Sequence, residues 1–186
     1  MRRTWFPKAY ADVAARFRVP AGFGLVAAFG YLSTPSWLSL AAGMPLAAAG
    51  LLLRGWAAGH LAKNERLAVN GPYAYTRNPL YLGTLTVAAG LAIAARNPWL
   101  VLLFAAIFLL VYLPAIELEE QHLRELFPEY ARYAETVPML MPAFRRAGSG
   151  ESGYFRWTLY LRNEEYQALL GFLGVAGWLA WKAWNS

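Results

Sequence analysis

Long uncharged runs, mostly apolar, alternate with short polar segments along this chain. The runs cover residues 19–53, 78–95, 97–116 and 166–181. About 20 consecutive apolar residues are enough for a helix to cross the hydrocarbon layer of a bilayer. These runs therefore predict membrane-spanning helices, and the chain is expected to be an all-α, polytopic membrane protein.

Proline and small polar residues divide the first run into a helical hairpin. Residues 33–36 read Ser-Thr-Pro-Ser, which favours Thr34 as the N-cap and Pro35 as the first helical position of the second arm. That arm is expected to begin near Trp37 and end near Ala58. The first arm is then short, about 14 residues, and is expected to take its entry turn from the preceding amphipathic segment.

The same signals predict a second hairpin. Asn97 caps a helix whose first position is Pro98, so the two arms are expected at 79–95 and 98–116. A fifth helix is expected at about 165–184. The predicted fold has about five transmembrane helices, arranged as two hairpins plus a C-terminal helix.

These elements divide the chain into four segments. Residues 1–59 hold an N-terminal amphipathic segment and the first hairpin, and residues 60–142 hold a polar loop, the second hairpin and a polar helix. Residues 143–164 contain a Gly- and Ser-rich stretch that is typical of a flexible linker. The C-terminal helix occupies the last segment, 165–186.

Composition supports the membrane prediction and excludes several kinds of site. Hydrophobic residues are 58% of the chain and charged residues 15%, outside the usual range for a soluble domain. The absence of cysteine excludes disulfides and thiolate chemistry, and with two histidines no metal site is expected. The net charge is +6, but basic residues in membrane proteins usually set topology and contact anionic lipids. Membrane lipids, and not nucleic acid, are the expected partners.

The distribution of basic residues predicts the orientation in the membrane. With a cytoplasmic N-terminus, 15 of the 17 lysines and arginines lie on the inner side, and only Arg96 and Lys182 lie outside. The positive-inside rule then places the N-terminus, the 60–78 loop and the 117–164 segment in the cytoplasm. The residues with reactive side chains are therefore expected at the cytoplasmic rim.

The first polar cluster precedes the second hairpin. Residues 70–83 read Asn-Gly-Pro-Tyr-Ala-Tyr-Thr-Arg-Asn-Pro-Leu-Tyr-Leu-Gly, with a Gly-Pro turn and an Asn-Pro helix start. A short extended piece between them would place Tyr73 and Tyr75 on one side. The first helical turn can present backbone N–H groups to an anion. An aromatic belt at the membrane interface, anchored by Arg77, explains the same residues.

The second polar cluster continues the fourth predicted span out of the membrane. Glu117, Glu120 and Arg124 share one helical face, whereas Glu119 points elsewhere. A solvated helix with salt bridges is one explanation. Carboxylates at a membrane surface nevertheless need a compensating partner, which Arg77 from the facing loop or a cationic ligand would supply.

Together the two clusters resemble the isoprenylcysteine carboxyl methyltransferase family, which includes bacterial phospholipid methyltransferases. The resemblance rests on Gly-Pro-Tyr and Arg-Asn-Pro-Leu-Tyr-Leu-Gly at 71–83, a transmembrane hairpin, and then Glu-Glu, Leu, Phe, Tyr-x-x-Tyr, Val and Pro. It covers about residues 60–142. Residues 1–59 agree in topology alone, and residues 143–186 have no counterpart in the family core.

The resemblance implies an S-adenosylmethionine-dependent methyltransferase with its cofactor between the two motifs. The implied substrate is lipophilic, either a prenylcysteine-like carboxylate or a lipid headgroup. The implied catalytic residues are Arg77 and Glu120. The implied cofactor-binding residues are Tyr73, Asn78, Pro79, Leu80, Tyr81, Gly83, Glu119, Tyr130 and Tyr133. Better-known members have histidine where this chain has Asn78, which can form hydrogen bonds but cannot titrate near neutral pH.

Two other functions remain open at the level of sequence. Sterol-type membrane reductases have a related arrangement of helices and a nicotinamide cofactor. The negative charges of that cofactor would be repelled by the glutamates of the second cluster. A non-enzymatic scaffold or small transporter is the other possibility, although transport favours polar residues or broken helices at mid-bilayer, which these spans almost lack.

Overall fold

The computed structural model describes residues 5–146 and 153–185, which fold into helices joined by short loops. No β-strand occurs in these described residues, so the all-α prediction is confirmed for that part of the chain. The α-helices are α1 (Lys8–Leu32), α2 (Trp37–Ala58), α3 (Pro79–Ala95), α4 (Pro98–Ile107), α5 (Leu113–Leu126), α6 (Tyr130–Thr136), α7 (Trp157–Arg162) and α8 (Tyr166–Trp184).

Three helices are long and apolar enough to cross a membrane: α1, α2 and the continuous helical segment Pro98–Leu126. Helix α3 is apolar but shorter, with 17 residues. Helix α8 has 19 residues but is not among the helices that meet the same length and hydropathy criteria. The polytopic helical architecture is therefore confirmed, and the total of five spans stays a prediction.

The first hairpin differs from the prediction at two places. Helix α1 is one continuous helix of 25 residues, so the predicted arm of about 14 residues was too short: the helix includes the whole amphipathic stretch and not only an entry turn. The N-cap of α2 is Ser36, not Thr34, because Ser36 and Ser39 exchange backbone-to-side-chain hydrogen bonds in a capping box. The Thr34 N–H instead donates to the Ala95 carbonyl at 2.9 Å.

The second hairpin begins and turns where the sequence predicts. Asn97 Oδ1 accepts the Trp99 N–H at 3.0 Å, and Pro98 occupies the first turn, as expected for a capped helix start. The Asn97 side chain also donates to the Leu32 carbonyl at 2.9 Å. Because both interhelical turns meet here, the polar loops and the helix ends that carry the motifs lie together at the opposite end of the bundle.

A π-helical segment, Phe108–Tyr112, connects α4 to α5. Pro114 has no N–H, so it cannot donate to the Leu110 carbonyl four residues earlier. The Tyr10 hydroxyl of α1 donates to that carbonyl instead, at 2.7 Å. This wider turn lies next to the functional region, because Tyr112 packs edge-on against Tyr81 with ring centroids 6.3 Å apart.

Helices α2 and α3 make the closest helix–helix contact, through glycines on both sides. A Cβ atom at Gly50 would lie 2.6 Å from the Val87 nitrogen, and a Cβ at Gly83 would lie 2.8 Å from the Gly50 carbonyl oxygen. A Cβ at Gly90 would overlap the backbone of Ala47. Small residues allow helix backbones to approach closely in lipid, where packing replaces the hydrophobic effect as the driving force.

Substituting Gly90 with alanine is expected to lower the thermal unfolding midpoint measured in detergent. The added methyl group would overlap the backbone of α2, so the two helices must separate, at a cost of about 1–3 kcal/mol. Gly24→Ala is the matched control, because a Cβ there has no neighbour within 4 Å. Equal midpoints for the two variants would contradict the close α2–α3 contact.

The C-terminal part returns to the bundle near the end of α2. The Glu165 carboxylate pairs with the Arg54 guanidinium through Nε–Oε1 at 2.5 Å and Nη2–Oε2 at 3.0 Å. The Asn163 side chain donates to the Ala58 and Leu61 carbonyls. Of the predicted linker at 143–164, residues 147–152 lie outside the described residues, and Trp157–Arg162 forms α7.

Candidate functional site

A cavity of about 400 Å³ lies between the two polar clusters, at the end of the bundle away from the interhelical turns. Its walls come from the loop before α3, the first turn of α3, α5 and α6. Nine of the eleven residues implied by the resemblance line it, namely Tyr73, Arg77, Asn78, Pro79, Leu80, Tyr81, Glu119, Tyr130 and Tyr133. Two motifs far apart in sequence thus form one cavity.

Arg77 and Glu120 form a buried ion pair beside this cavity. Arg77 Nη1 lies 3.2 Å from Glu120 Oε2, and the Asn78 side chain donates to Glu120 Oε1 at 3.2 Å. The backbone N–H of Arg77 donates to the Pro138 carbonyl at 2.9 Å, so the chain that follows α6 holds the loop in place. Arg77 is therefore the partner that a carboxylate at this membrane edge needs.

The Arg77 guanidinium keeps a donor that the ion pair with Glu120 does not use. Nε is buried and has no hydrogen-bond acceptor among the described residues, whereas Nη1 faces Glu120 in the ion pair. Buried polar groups normally have a partner, and an arginine presents its donors as a rigid fork that suits a carboxylate or phosphate. Because Arg77 lines the cavity, this donor can hold the anionic group of a ligand.

Glu119 points into the cavity from another face of α5. Its Oε2 accepts the Tyr81 hydroxyl at 3.1 Å, and the Tyr81 oxygen accepts a hydrogen bond from Arg18 Nη1 at 2.9 Å. Glu117, the third carboxylate of this cluster, accepts the backbone N–H groups of Trp5 and Phe6. Of the three carboxylates, Glu119 lines the cavity and is therefore the one placed to face a cationic ligand group.

Three tyrosines line the cavity wall formed by the loop and α6. The segment that contains Tyr73 is a 3₁₀-helix, Gly71–Ala74, so the prediction of an extended piece with Tyr73 and Tyr75 on one side was wrong. The Tyr133 hydroxyl donates to the Tyr73 carbonyl at 2.7 Å. Burial raises the pKa of Tyr73, Tyr130 and Tyr133 well above the ordinary tyrosine value, so all three hydroxyls stay protonated in the folded protein.

These tyrosines predict a loss of stability in alkaline solution. In the unfolded chain they ionise near the ordinary pKa of 10.0, whereas the folded protein keeps their protons. The unfolded state then binds fewer protons, so the unfolding midpoint is expected to fall as the pH rises from about 10 towards 11. The unfolding midpoint of Tyr133→Phe should fall less steeply with pH than that of wild type. Tyr154 is exposed, so the midpoint of Tyr154→Phe should fall as steeply as that of wild type. Identical slopes for the three proteins would contradict the burial argument.

Two of the implied residues do not line the cavity. Glu120 lies behind Arg77, and Gly83 contacts α2, where a Cβ would lie 2.5 Å from Arg54 Cγ. The cavity also contains residues that the sequence did not single out, among them Arg18, Lys63, Arg66 and His122. Arg18 is the last charged residue of α1 before the apolar run. This position is the one feature of the sequence that could have indicated a role for Arg18 at the site.

Comparison with known proteins identifies the family. A sequence profile described as "Phospholipid methyltransferase" matches residues 38–130, half of the 186 residues. One curated relative is "Cobalt-zinc-cadmium resistance protein CzcN" of Cupriavidus metallidurans, 32% identical over 108 residues, which are 57% of this chain and 48% of the relative. The chain thus spans about half the length of this relative. No solved structure matches significantly.

The matched residues include the loop before α3, helices α3 to α5 and the first residue of α6, Tyr130. They therefore form most of the walls of the cavity. The apolar helices agree with a protein that lies within the membrane. The resemblance seen in the sequence is confirmed, and the chain belongs to the phospholipid methyltransferase family of integral membrane proteins.

Proposed function

We propose that the chain transfers a methyl group from S-adenosylmethionine to a lipophilic acceptor. The observation that carries this proposal is the cavity, which brings the buried Arg77 guanidinium with its unpartnered Nε, the Glu119 carboxylate and three tyrosines together between the two motifs. The family match favours methyl transfer over the sterol-type reductase and the non-enzymatic scaffold. The basic residues favour a cytoplasmic position for this end of the bundle.

The charges of the cavity fit the amino acid end of S-adenosylmethionine. The donors of Arg77 suit its carboxylate, and Glu119 suits its ammonium group. A volume of about 400 Å³ lies within the range of small-molecule pockets. When bound, S-adenosylmethionine supplies an electrophilic methyl group on a sulfonium centre.

The protein's contribution to such a reaction is alignment of the two reactants and exclusion of water. A carboxylate acceptor needs no base, whereas an amine acceptor must lose a proton, and Glu119 is the carboxylate that lines the cavity. The Arg77–Glu120 pair holds the loop against α5, so it positions one wall of the cavity for either reaction. We infer that the acceptor enters sideways from the bilayer, because apolar helices end directly at the cavity.

The test is binding of S-adenosylhomocysteine to the protein reconstituted in nanodiscs, followed by transfer of labelled methyl groups into a lipid extract. Saturable binding in calorimetry and a labelled lipid identified by mass spectrometry are expected. Binding of reduced nicotinamide adenine dinucleotide phosphate, with no binding of S-adenosylhomocysteine, would contradict methyl transfer and favour a reductase. Binding of neither ligand to protein with intact helicity would overturn the proposed enzyme.

A further inference from the structure

A continuous groove runs between α1 and α8 from the candidate site to the other end of the bundle. Its first part has a volume of about 630 Å³ and shares Arg18, Tyr81 and Glu119 with the cavity described above. Its second part has a volume of about 660 Å³ and lies between α1 and the second half of α8. Val26 lines both parts, so the two parts adjoin at this residue.

The groove is polar at the candidate site and apolar along its middle stretch. Arg18, Lys63 and Glu119 lie at the end that joins the candidate site. Arg54, Asn163 and Glu165 also line the first part, and Lys182 lines the far end. Between these polar groups, Val19, Phe23 and Val26 on α1 and Gly171, Gly174 and Val175 on α8 form an apolar stretch. This polarity matches an amphiphile whose head lies at the site and whose tail follows α1.

The length of the groove matches one hydrocarbon tail. From Arg18 to Gly30 the rise of α1 is about 18 Å, whereas one leaflet of a bilayer is about 15 Å thick. The far end is closed: the Trp178 indole N–H donates to the Gly30 carbonyl at 2.9 Å. Lys182 Nζ donates to the Ser33 carbonyl at 2.6 Å just beyond it.

We propose that this groove binds the single hydrocarbon tail of the methyl acceptor and that its closed end limits the length of that tail. The proposal rests on the proposed function, because it assigns the groove to the substrate of the same cavity. Helix α8 lies outside the residues that match the family profile, 38–130. The limit on tail length is therefore a property that the C-terminal helix adds to the family core.

Glycines on α8 allow the groove to be blocked without disturbing the fold. An added Cβ at Gly174, which lines the groove, has no neighbour within 4 Å, so a phenylalanine there extends into the tail path. Gly177 has equally open surroundings but is not part of the groove lining. Gly174→Phe and Gly177→Phe are therefore a matched pair with the same added bulk on the same helix.

The test uses palmitic acid with a photoreactive diazirine at its methyl end, added to protein in nanodiscs. Wild type should be labelled at the closed end, on the peptides around Gly30 and Trp178, and excess palmitic acid should compete. In Gly174→Phe this labelling should fall about tenfold or more, as the loss of about two buried methylene groups would produce. Gly177→Phe should keep wild-type labelling. Octanoic acid with the same reactive group should label nearer Val19 and be insensitive to Gly174→Phe.

Labelling spread evenly over the lipid-facing helices, or reduced equally in both variants, would show annular lipid and overturn the proposal. Binding of S-adenosylhomocysteine is measured in the same preparations and should be unchanged in both variants. If that binding is intact but the closed end is not labelled, the tail site fails and the proposed function stands. If the groove is labelled but S-adenosylhomocysteine does not bind, the proposed function fails and the groove remains a lipid site.

Discussion

Replacing Arg77 with alanine is expected to weaken S-adenosylhomocysteine binding by about a hundredfold or more, because charge-assisted hydrogen bonds in a buried site are lost. The Nε donor of Arg77 is buried in the cavity wall and has no acceptor among the described residues. Calorimetry in nanodiscs measures the binding constant. Arg77→Lys keeps the charge but loses the fork of donors, so its affinity should lie between those of wild type and Arg77→Ala.

Stability has to be separated from binding at this position. Arg77→Ala leaves Glu120 buried without its cation, which is expected to destabilise the fold by about 3–5 kcal/mol. Replacing both partners with apolar residues, Arg77→Met with Glu120→Leu, should recover most of the unfolding midpoint, because no buried charge remains unpaired. The double variant should still fail to bind. Recovery of binding in this variant would show that Arg77 acts only on the fold.

Replacing Arg54 with alanine is expected to give the other large effect, a loss of about 3–5 kcal/mol in stability, because Glu165 would be left buried and unpaired. Arg54 also donates to the Thr84 hydroxyl at 2.6 Å, so one side chain ties α2 to α3 and to the start of α8. Thermal unfolding in detergent measures the loss. Faster proteolysis between residues 143 and 164 should accompany it, because α8 loses its attachment.

The chain provides its own control for this ion pair. Arg162 and Glu65 also form a salt bridge, but their side chains are 64% and 53% exposed, so Arg162→Ala should change stability by less than about 1 kcal/mol. A double-mutant cycle with Arg54→Ala and Glu165→Ala isolates the pair energy. A coupling no larger than that of the exposed pair would contradict the structural role of Arg54.

Helix boundaries set by local chemistry were predicted well from the sequence. The start of α3 at Pro79, the Asn97 cap and the end of α2 at Ala58 agree with the structure, because proline and capping residues act on neighbouring backbone groups. The length of α1 and the choice of Ser36 over Thr34 were missed. The Ser36 cap depends on its reciprocal bonds with Ser39, and Thr34 is engaged by Ala95 from another helix.

The candidate site could be predicted in part for a similar reason. The two motifs indicated nine of the residues that line the cavity, because residues close together in one motif stay close together in the fold. The sequence did not indicate that Arg18 would reach Tyr81, or that Arg54 would pair with Glu165. Gly83 was assigned to the cofactor, whereas the structure places it against α2. These contacts join residues far apart in the chain, which no local pattern specifies.

By itself the sequence determined that this is a helical membrane protein with two polar motifs at one end. Runs without charge must leave water, and basic residues favour one side of the membrane, and both effects depend on composition and order alone. Only the tertiary structure decided which carboxylate is buried with Arg77, which one lines the cavity, and that α8 forms a groove with α1. Those outcomes depend on how closely the helix backbones approach and on which buried charges find partners, and both are properties of the packed bundle.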